Sequence, residues 1–167
     1  RSFLYPMAAR MTTETQDDER LHAVEILFVA LVFAAAGATR TPDVNETHYL
    51  SQSKAYWNDA WCPGDLLLAE RPVHRAFHFL LGWGTLYLTL PQFAWTGRIV
   101  TWVFQAWGFT SLIRAVTPAR WLAPTAAAAT FLAFHSRSSV AGEWAIGGFE
   151  AKPLAYGCVF FALAQAL

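Results

Sequence analysis

Long apolar stretches alternate with polar ones along the chain, and their lengths predict helices that cross a membrane. Leu21 to Thr39 is the first such stretch, and it matches the roughly 20 residues that a bilayer core of about 30 Å requires. A cleaved signal peptide is the alternative, since Ala36-Gly37-Ala38 resembles a small-residue cleavage site. The region ahead of it is acidic, whereas a signal peptide begins with a positive region, so we favour a retained helix.

Further membrane helices are expected between residues 74 and 135. Val73 to Trp95 is long enough for a second span, whereas Ile99 to Ile113 and Trp121 to Phe134 would each be only about 21 to 22 Å long. These two form either two thin spans or one span and a broken segment. A last helix begins at Pro153, and because the chain stops inside its apolar pattern, we expect the sequence to be the N-terminal part of a longer protein.

Polar segments complete the predicted organisation: a tail at 1–20, a first loop at 40–73 and a second loop at 136–152. In the first loop, Asp43 is a good N-cap for an amphipathic surface helix from Val44 to about Trp57, and Gly64-Asp65 opens a second short helix through Glu70. The predicted fold is all-α. It is a polytopic integral membrane helix bundle with an amphipathic surface-helix loop after the first transmembrane helix.

The composition supports a membrane protein and excludes a nucleic-acid-binding one. Hydrophobic residues make up 55% of the chain and charged residues 14%, where soluble domains have about 25% charged residues. The formal net charge is zero and no block of Lys or Arg is present, so nucleic acid is not expected as a partner. Two cysteines, Cys62 and Cys158, are too few for a disulfide framework or a metal cluster. The expected partner is membrane lipid.

The first loop carries the sequence Asn45-Glu46-Thr47-His48-Tyr49 at the start of its amphipathic helix. This region resembles the Asp-Glu-x-x-Tyr region of the polytopic GT-C glycosyltransferases, and a group of bacterial polytopic membrane proteins has Asn-Glu-x-His-Tyr at this place. The resemblance implies a multi-pass inner-membrane enzyme that uses a polyprenyl-phosphate-linked sugar, with the tail in the cytoplasm and the first loop outside. In the GT-C enzymes that loop supplies an acidic residue, which acts as general base on the acceptor or helps to hold a divalent metal ion.

The resemblance assigns catalysis to Glu46 and substrate binding to Tyr49. Many of those enzymes have Asp where this chain has Asn45, and an amide cannot take a proton. Either Glu46 acts as the base, or Asp43 reaches in, or this branch does something else. A structural interpretation is also open, because Asp43-x-x-Glu46 has the spacing of a capping box, in which Glu46 only caps its helix.

A leaving phosphate requires cationic groups as well as a base, because charge develops at both ends of the transferred sugar. The candidates are His48, Lys54, His74, Arg75 and Lys152. The second loop adds Glu143 and Glu150, and its sequence FEAKPLAY resembles the acidic opening of a later helix in GT-C sequences. If the two loops form one site, the chain between Val73 and His135 must cross the membrane an even number of times.

Two other functional classes remain open. A transporter or lipid-binding protein would use acids such as Glu46 and Glu150 to bind substrate without chemistry, although a transporter needs polar groups near the bilayer midplane. A structural membrane subunit would use Glu46 only as a helix cap. His74 and His78 have a spacing that can bind metal, but no third ligand is spaced to join them.

Overall fold

The computed structural model describes residues 5–43, 45–69, 72–137 and 145–167, with side chains described in 16–43, 45–69, 72–133 and 145–167. Within these ranges the chain is all-α and has no strand. Its elements are α1 (Tyr5–Gly37), α2 (Glu46–Trp57), α3 (Leu66–Ala69), α4 (Arg75–Leu81), a 3₁₀ helix (Gly82–Leu86), α5 (Leu90–Val116), α6 (Leu122–Arg137) and α7 (Ala151–Ala166).

Helices α1, α5, α6 and α7 form a bundle around α5. Helix α1 runs antiparallel to α5. Phe33 contacts Phe109 with ring centroids 5.8 Å apart, and Glu25, which precedes Phe33 in α1, pairs with Arg114, which follows Phe109 in α5. Two helices in the described residues, Gln16–Gly37 within α1 and Leu90–Val116, are long and apolar enough to cross a membrane. The shorter elements α2, α3, α4 and the 3₁₀ helix lie at the end where α1 stops and α5 starts, which we call the α2 end of the bundle.

The predicted second span from Val73 to Trp95 is wrong, because the chain breaks between α4 and α5. The α-helix ends at Leu81 and tightens into the 3₁₀ helix. A capping box of Thr89 and Gln92 then starts α5, with Pro91 in its first turn, where a missing N–H removes no helical hydrogen bond. Hydropathy alone does not detect this break, since the residues on both sides of it are equally apolar.

Helix α5 is continuous through Arg98, so the separate short segment predicted from Ile99 to Ile113 is part of a 27-residue helix. The Arg98 side chain, which lies between the two predicted segments, is fully buried and paired. The predicted starts of the last two helices lie within two residues of those in the structure. Helix α6 starts one residue after Trp121, and α7 starts two residues before Pro153.

At the N-terminal side, α1 extends back to Tyr5, through most of the segment predicted to be a polar tail. Helix α2 ends at Trp57 as predicted, but it begins at Glu46 with Asn45 as its N-cap residue, so Asp43 is not the N-cap. The short helix after Gly64-Asp65 is confirmed, because an Asp65 Oδ1 accepts from the backbone N–H groups of Leu67 and Leu68.

Helix α5 carries one ion-paired arginine near each end. Arg98 pairs with Glu46 at the α2 end, and Arg114 pairs with Glu25 of α1 at the opposite end, with 2.5 Å between Nε and Oε2. Glu25 also accepts from the backbone N–H of Trp121, which ties the start of α6 to the same corner. The two arginines are about 24 Å apart along the helix at 1.5 Å per residue, so α2 is fixed near the start of α5 and α1 near its end.

The first loop and the described final part of the second loop, residues 145–150, lie at the α2 end of the bundle. Helix α5 leads away from this end and α6 leads back, so the chain makes two passes between α4 and the second loop. The chain is back at α2 by Phe149, since the backbone N–H of Phe149 donates to Glu46 Oε1 at 2.7 Å. The even number of passes that a shared site requires is therefore present in the fold.

The second loop reaches α2 only because α5 has a glycine under it. A Cβ on Gly97 would lie 2.1 Å from Cδ1 of Phe149, whose ring is itself fixed between Phe77 and Phe93. We expect Gly97→Ala to lower the free energy of unfolding by about 1 to 3 kcal/mol, as overpacking of a close-packed core does. Gly147→Ala, where no described atom lies within 4 Å, should change it by less than about 0.5 kcal/mol. Unfolding by SDS in mixed micelles measures both, and equal losses would contradict this packing.

Candidate functional site

Helix α2 divides the first-loop motif between two faces. Glu46, Leu50 and Ser53 follow one another at helical spacing and are buried against the rest of the protein. Asn45 and His48 lie on the neighbouring face, which opens to a cleft. The motif therefore supplies both an internal anchor and part of an open surface.

The Glu46 carboxylate is fully occupied by donors. Arg98 binds it with both prongs of its guanidinium, with Nε 2.8 Å from Oε1 and Nη2 2.6 Å from Oε2. The backbone N–H of Phe149 donates to Oε1, and that of Asp43 donates to Oε2 at 2.9 Å. Both side chains of the pair have 0% exposure. Four donors match the roughly four lone-pair positions of a carboxylate, so the geometry favours an anchor.

Arg98 is also fixed on its other side. Its Nη1 donates to the backbone carbonyl of Thr39 at 2.8 Å, and its Nη2 lies 3.4 Å from that of Arg40. One arginine thus joins the end of α1, the start of α2 and, through Glu46, the second loop. The hydrogen bond from Asp43 to Glu46 is half of the capping box that the sequence suggested, and to this the structure adds an ion pair across 52 positions.

An open cleft of about 590 Å³ lies beside this anchor, between α2 and the start of α7. Its polar lining combines residues from three separate parts of the chain: Asn45, His48 and Tyr49 from α2, His74 from the start of α4, and Glu150 and Lys152 from the second loop and α7. Apolar residues complete the wall: Val73, Ala151 and Ala155. Four of the predicted substrate-binding residues meet in this one cleft, namely Tyr49, His48, Glu150 and Lys152.

Tyr49 is the centre of the aromatic and imidazole groups around the cleft. His74 stacks on it, with ring centroids 5.1 Å apart and planes inclined by 18°. His78 lies on the buried side, where its Nδ1 is 2.8 Å from Ser53 Oγ. Burial lowers the pKa of His78 to about 4, helped by the nearby His74 and His48, so this imidazole is neutral near pH 7.

His74 and His78 therefore point to different environments and do not converge on a metal ion. His74 is exposed at the cleft, and His78 is 1% exposed and bonded to Ser53. Among the side chains that the structure describes, no group of three or more His, Cys, Asp or Glu is placed to hold a metal.

The remaining predicted site residues lie outside the cleft. Lys54 sits over the ring of Trp61, with Nζ 4.0 Å from the centroid, and Arg75 is exposed at the start of α4. The Asp43 carboxylate accepts from Thr39 Oγ1 at 3.0 Å. Glu143 lies outside the described residues.

Sequence reasoning missed the role of Arg98. The sequence does contain a signal for a buried arginine, because Arg98 is the only charged residue between Arg75 and Arg114. A lone charge inside so long an apolar stretch requires a buried partner. What the sequence could not supply is the identity of that partner, because Glu46 precedes it by 52 positions.

Comparison of the chain with family models, with characterised proteins and with solved structures gives no match. The use of the cleft is therefore inferred from its own residues. They provide a carboxylate, an ammonium group and two imidazoles around one open space, and an aromatic floor formed by Tyr49. Such a set can bind a phosphate and accept a proton from a hydroxyl group.

Proposed function

We propose that this protein is a membrane glycosyltransferase that moves a sugar from a polyprenyl-phosphate donor to an acceptor outside the cytoplasm, and that the cleft between α2 and α7 is its site. The observation that carries the proposal is the convergence of Glu150, Lys152, His48 and His74 in one cleft, although they come from three distant segments. A carboxylate near the acceptor and cations near the leaving phosphate are what this reaction requires.

In the proposed step, Glu150 acts as the general base and Lys152 faces the phosphate. The acceptor oxygen forms a bond to the anomeric carbon while the bond from that carbon to the phosphate oxygen breaks. The phosphate leaves with the electron pair, and the acceptor proton passes to the Glu150 carboxylate. Lys152 and the imidazole groups stabilise the charge that develops on the phosphate. We assign the base to Glu150 rather than Glu46, because Glu150 lines the open cleft whereas the Glu46 side chain is fully buried.

The membrane part of the proposal is supported by the polarity of α5. Between Phe93 and Ile113 the only charged or amide side chains are Arg98 and Gln105, and both are fully buried. The exposed positions of the same helix carry large apolar side chains: Trp95, Ile99, Val100, Val103 and Trp107. Polar groups inside and apolar groups outside is the arrangement expected of a helix surrounded by lipid.

A membrane transporter is the second candidate, and one observation favours it. Helix α5 buries Gln105 in its middle third and Thr110 five residues further along, and Gln105 Oε1 and Thr110 Oγ1 have no hydrogen-bond partner among the described residues. Polar groups near the bilayer midplane are what a transporter uses to bind its substrate.

The test is a transfer assay on the protein reconstituted in liposomes, with radiolabelled polyprenyl-phosphate mannose and glucose as donors. A glycosyltransferase consumes the donor and releases polyprenyl phosphate when an acceptor is present. Uptake of a labelled solute with the donor left intact would favour the transporter and contradict the enzyme.

A further inference from the structure

The exposed side of α4 and of the 3₁₀ helix is apolar, and we call it the outward face. It is formed by Ala76, Phe79, Leu80, Trp83, Leu86 and Tyr87. Its five large side chains are between 49% and 79% exposed. Their spacing places Phe79, Leu80 and Trp83 on successive turns of one side, so the exposed area is continuous.

The opposite side of the same segment is the more polar one. His78 and Thr85 are 1% and 4% exposed, and each has a hydrogen-bond partner, Ser53 Oγ for His78 and the Gly82 carbonyl for Thr85. A segment surrounded by water normally buries its apolar side chains and exposes its polar ones. This segment has the reverse polarity, as α5 does.

The indole donors at this face need no water. Trp83 Nε1 donates to the carbonyl of Leu80 at 2.9 Å, and Trp57 Nε1, beside Phe79, donates to the carbonyl of His78 at 2.8 Å. Indole groups satisfied in this way can enter an apolar medium without the cost of an unpaired donor. No charged residue occurs from Ala76 to Gly97, and Arg75 stands at the edge of the face.

We infer that the outward face inserts into the headgroup and upper acyl region of one leaflet of the bilayer, as an anchor that does not span it. The segment is too short to cross, because α4 and the 3₁₀ helix together cover only Arg75–Leu86. Trp95 and Ile99 near the start of α5, which the proposed function places in lipid, are exposed apolar residues as well. The same bilayer can therefore cover both surfaces, and the inference rests on that membrane placement.

Insertion of the outward face would also fix the depth of the cleft relative to the membrane surface. Helix α2 packs on the inner side of α4, through Ser53 to His78 and Tyr49 to Phe77. An anchored α4 holds α2, and the cleft formed with α7, at the level of the lipid headgroups. A ligand whose phosphate lies at the membrane surface and whose tail stays in the bilayer can then reach Lys152 from the side.

Lipid-dependent quenching tests the insertion in the reconstituted protein. Single cysteines replace Leu86, Asp59 and Val103, one at a time, in a Cys62→Ser, Cys158→Ser background and are labelled with a small fluorophore. Iodide quenches groups in water, and nitroxide-labelled lipids quench groups in the bilayer. We expect the Leu86 label to be quenched at least about twofold more by a shallow nitroxide lipid than the Asp59 label, and at least about twofold less by iodide.

The other outcomes overturn the inference. A Leu86 label that iodide quenches as strongly as the Asp59 label places the face in water, and one that neither quencher reaches places it under protein. The Val103 label, in the middle of α5, separates this failure from failure of the membrane bundle, because it should be quenched by deep nitroxide lipids in either case. Tyr87→Cys provides a second probe of the same face if the Leu86 variant does not fold.

Discussion

Glu150→Gln lowers the rate of sugar transfer by about 10²- to 10⁴-fold, if Glu150 is the general base of the cleft. The amide has the size of the carboxylate but cannot take the acceptor proton. Donor binding should be affected much less, because Lys152 and the imidazole groups remain. Initial rates over a range of donor concentrations, in liposomes with equal amounts of folded protein, separate the two effects.

The matched control is Glu19→Gln, which makes the same chemical change at an exposed position far from the cleft, on α1. It should leave the rate within about twofold of the starting protein. If Glu150→Gln transfers sugar at the rate of this control, Glu150 is not the base. Glu46→Gln then becomes the decisive variant, because the prediction that Glu46 takes the proton has not been tested.

Arg98→Ala should lower the free energy of unfolding by about 3 to 5 kcal/mol, the usual effect of removing one partner of a buried ion pair. The change leaves the Glu46 carboxylate without its strongest donors in a position with no exposure to solvent. It also removes the donors to the carbonyls of Thr39 and Arg40. Unfolding by SDS in mixed micelles measures the loss.

A double variant tells the ion pair apart from general packing. Arg98→Met with Glu46→Leu removes both charges, and it should be more stable than Arg98→Ala, since no buried charge is left alone. Recovery should be partial, because the backbone N–H groups of Asp43 and Phe149 lose their acceptor. Arg75→Ala, at an exposed position, should cost less than about 0.5 kcal/mol. If Arg98→Ala costs no more than Arg75→Ala, the pair does not hold the fold together.

The parts of the fold that could be predicted are those governed by local patterns. The all-α class, the end of α2 at Trp57, the short helix after Gly64-Asp65 and the approximate start of α6 all follow from apolar runs and capping residues. The break between α4 and α5 does not follow from such patterns, because apolar residues predominate on both sides of it. That break depends on the capping box at Thr89 and on packing of α4 against α2.

The site was predictable as a set of residues and not as an arrangement. Tyr49 was assigned by the resemblance and Glu150 as an acidic residue of the second loop, and both line the cleft. Glu46 was also assigned by the resemblance, but its partner Arg98 is 52 positions away, and no local pattern links the two. Because the sequence does not show this long-range pair, the capping and catalytic interpretations of Glu46 could not be separated from it.

The proposed site requires the first loop and the start of α7 to lie on one side of the membrane, and labelling of single cysteines measures this directly. His48→Cys, Lys152→Cys and Arg120→Cys are made separately in the Cys62→Ser, Cys158→Ser background and treated with an impermeant maleimide from each side. We expect the His48 and Lys152 positions to react from the same side and Arg120, at the opposite end of the bundle, to react from the other. Reaction of the His48 and Lys152 positions from opposite sides would contradict the shared cleft and the function proposed for it.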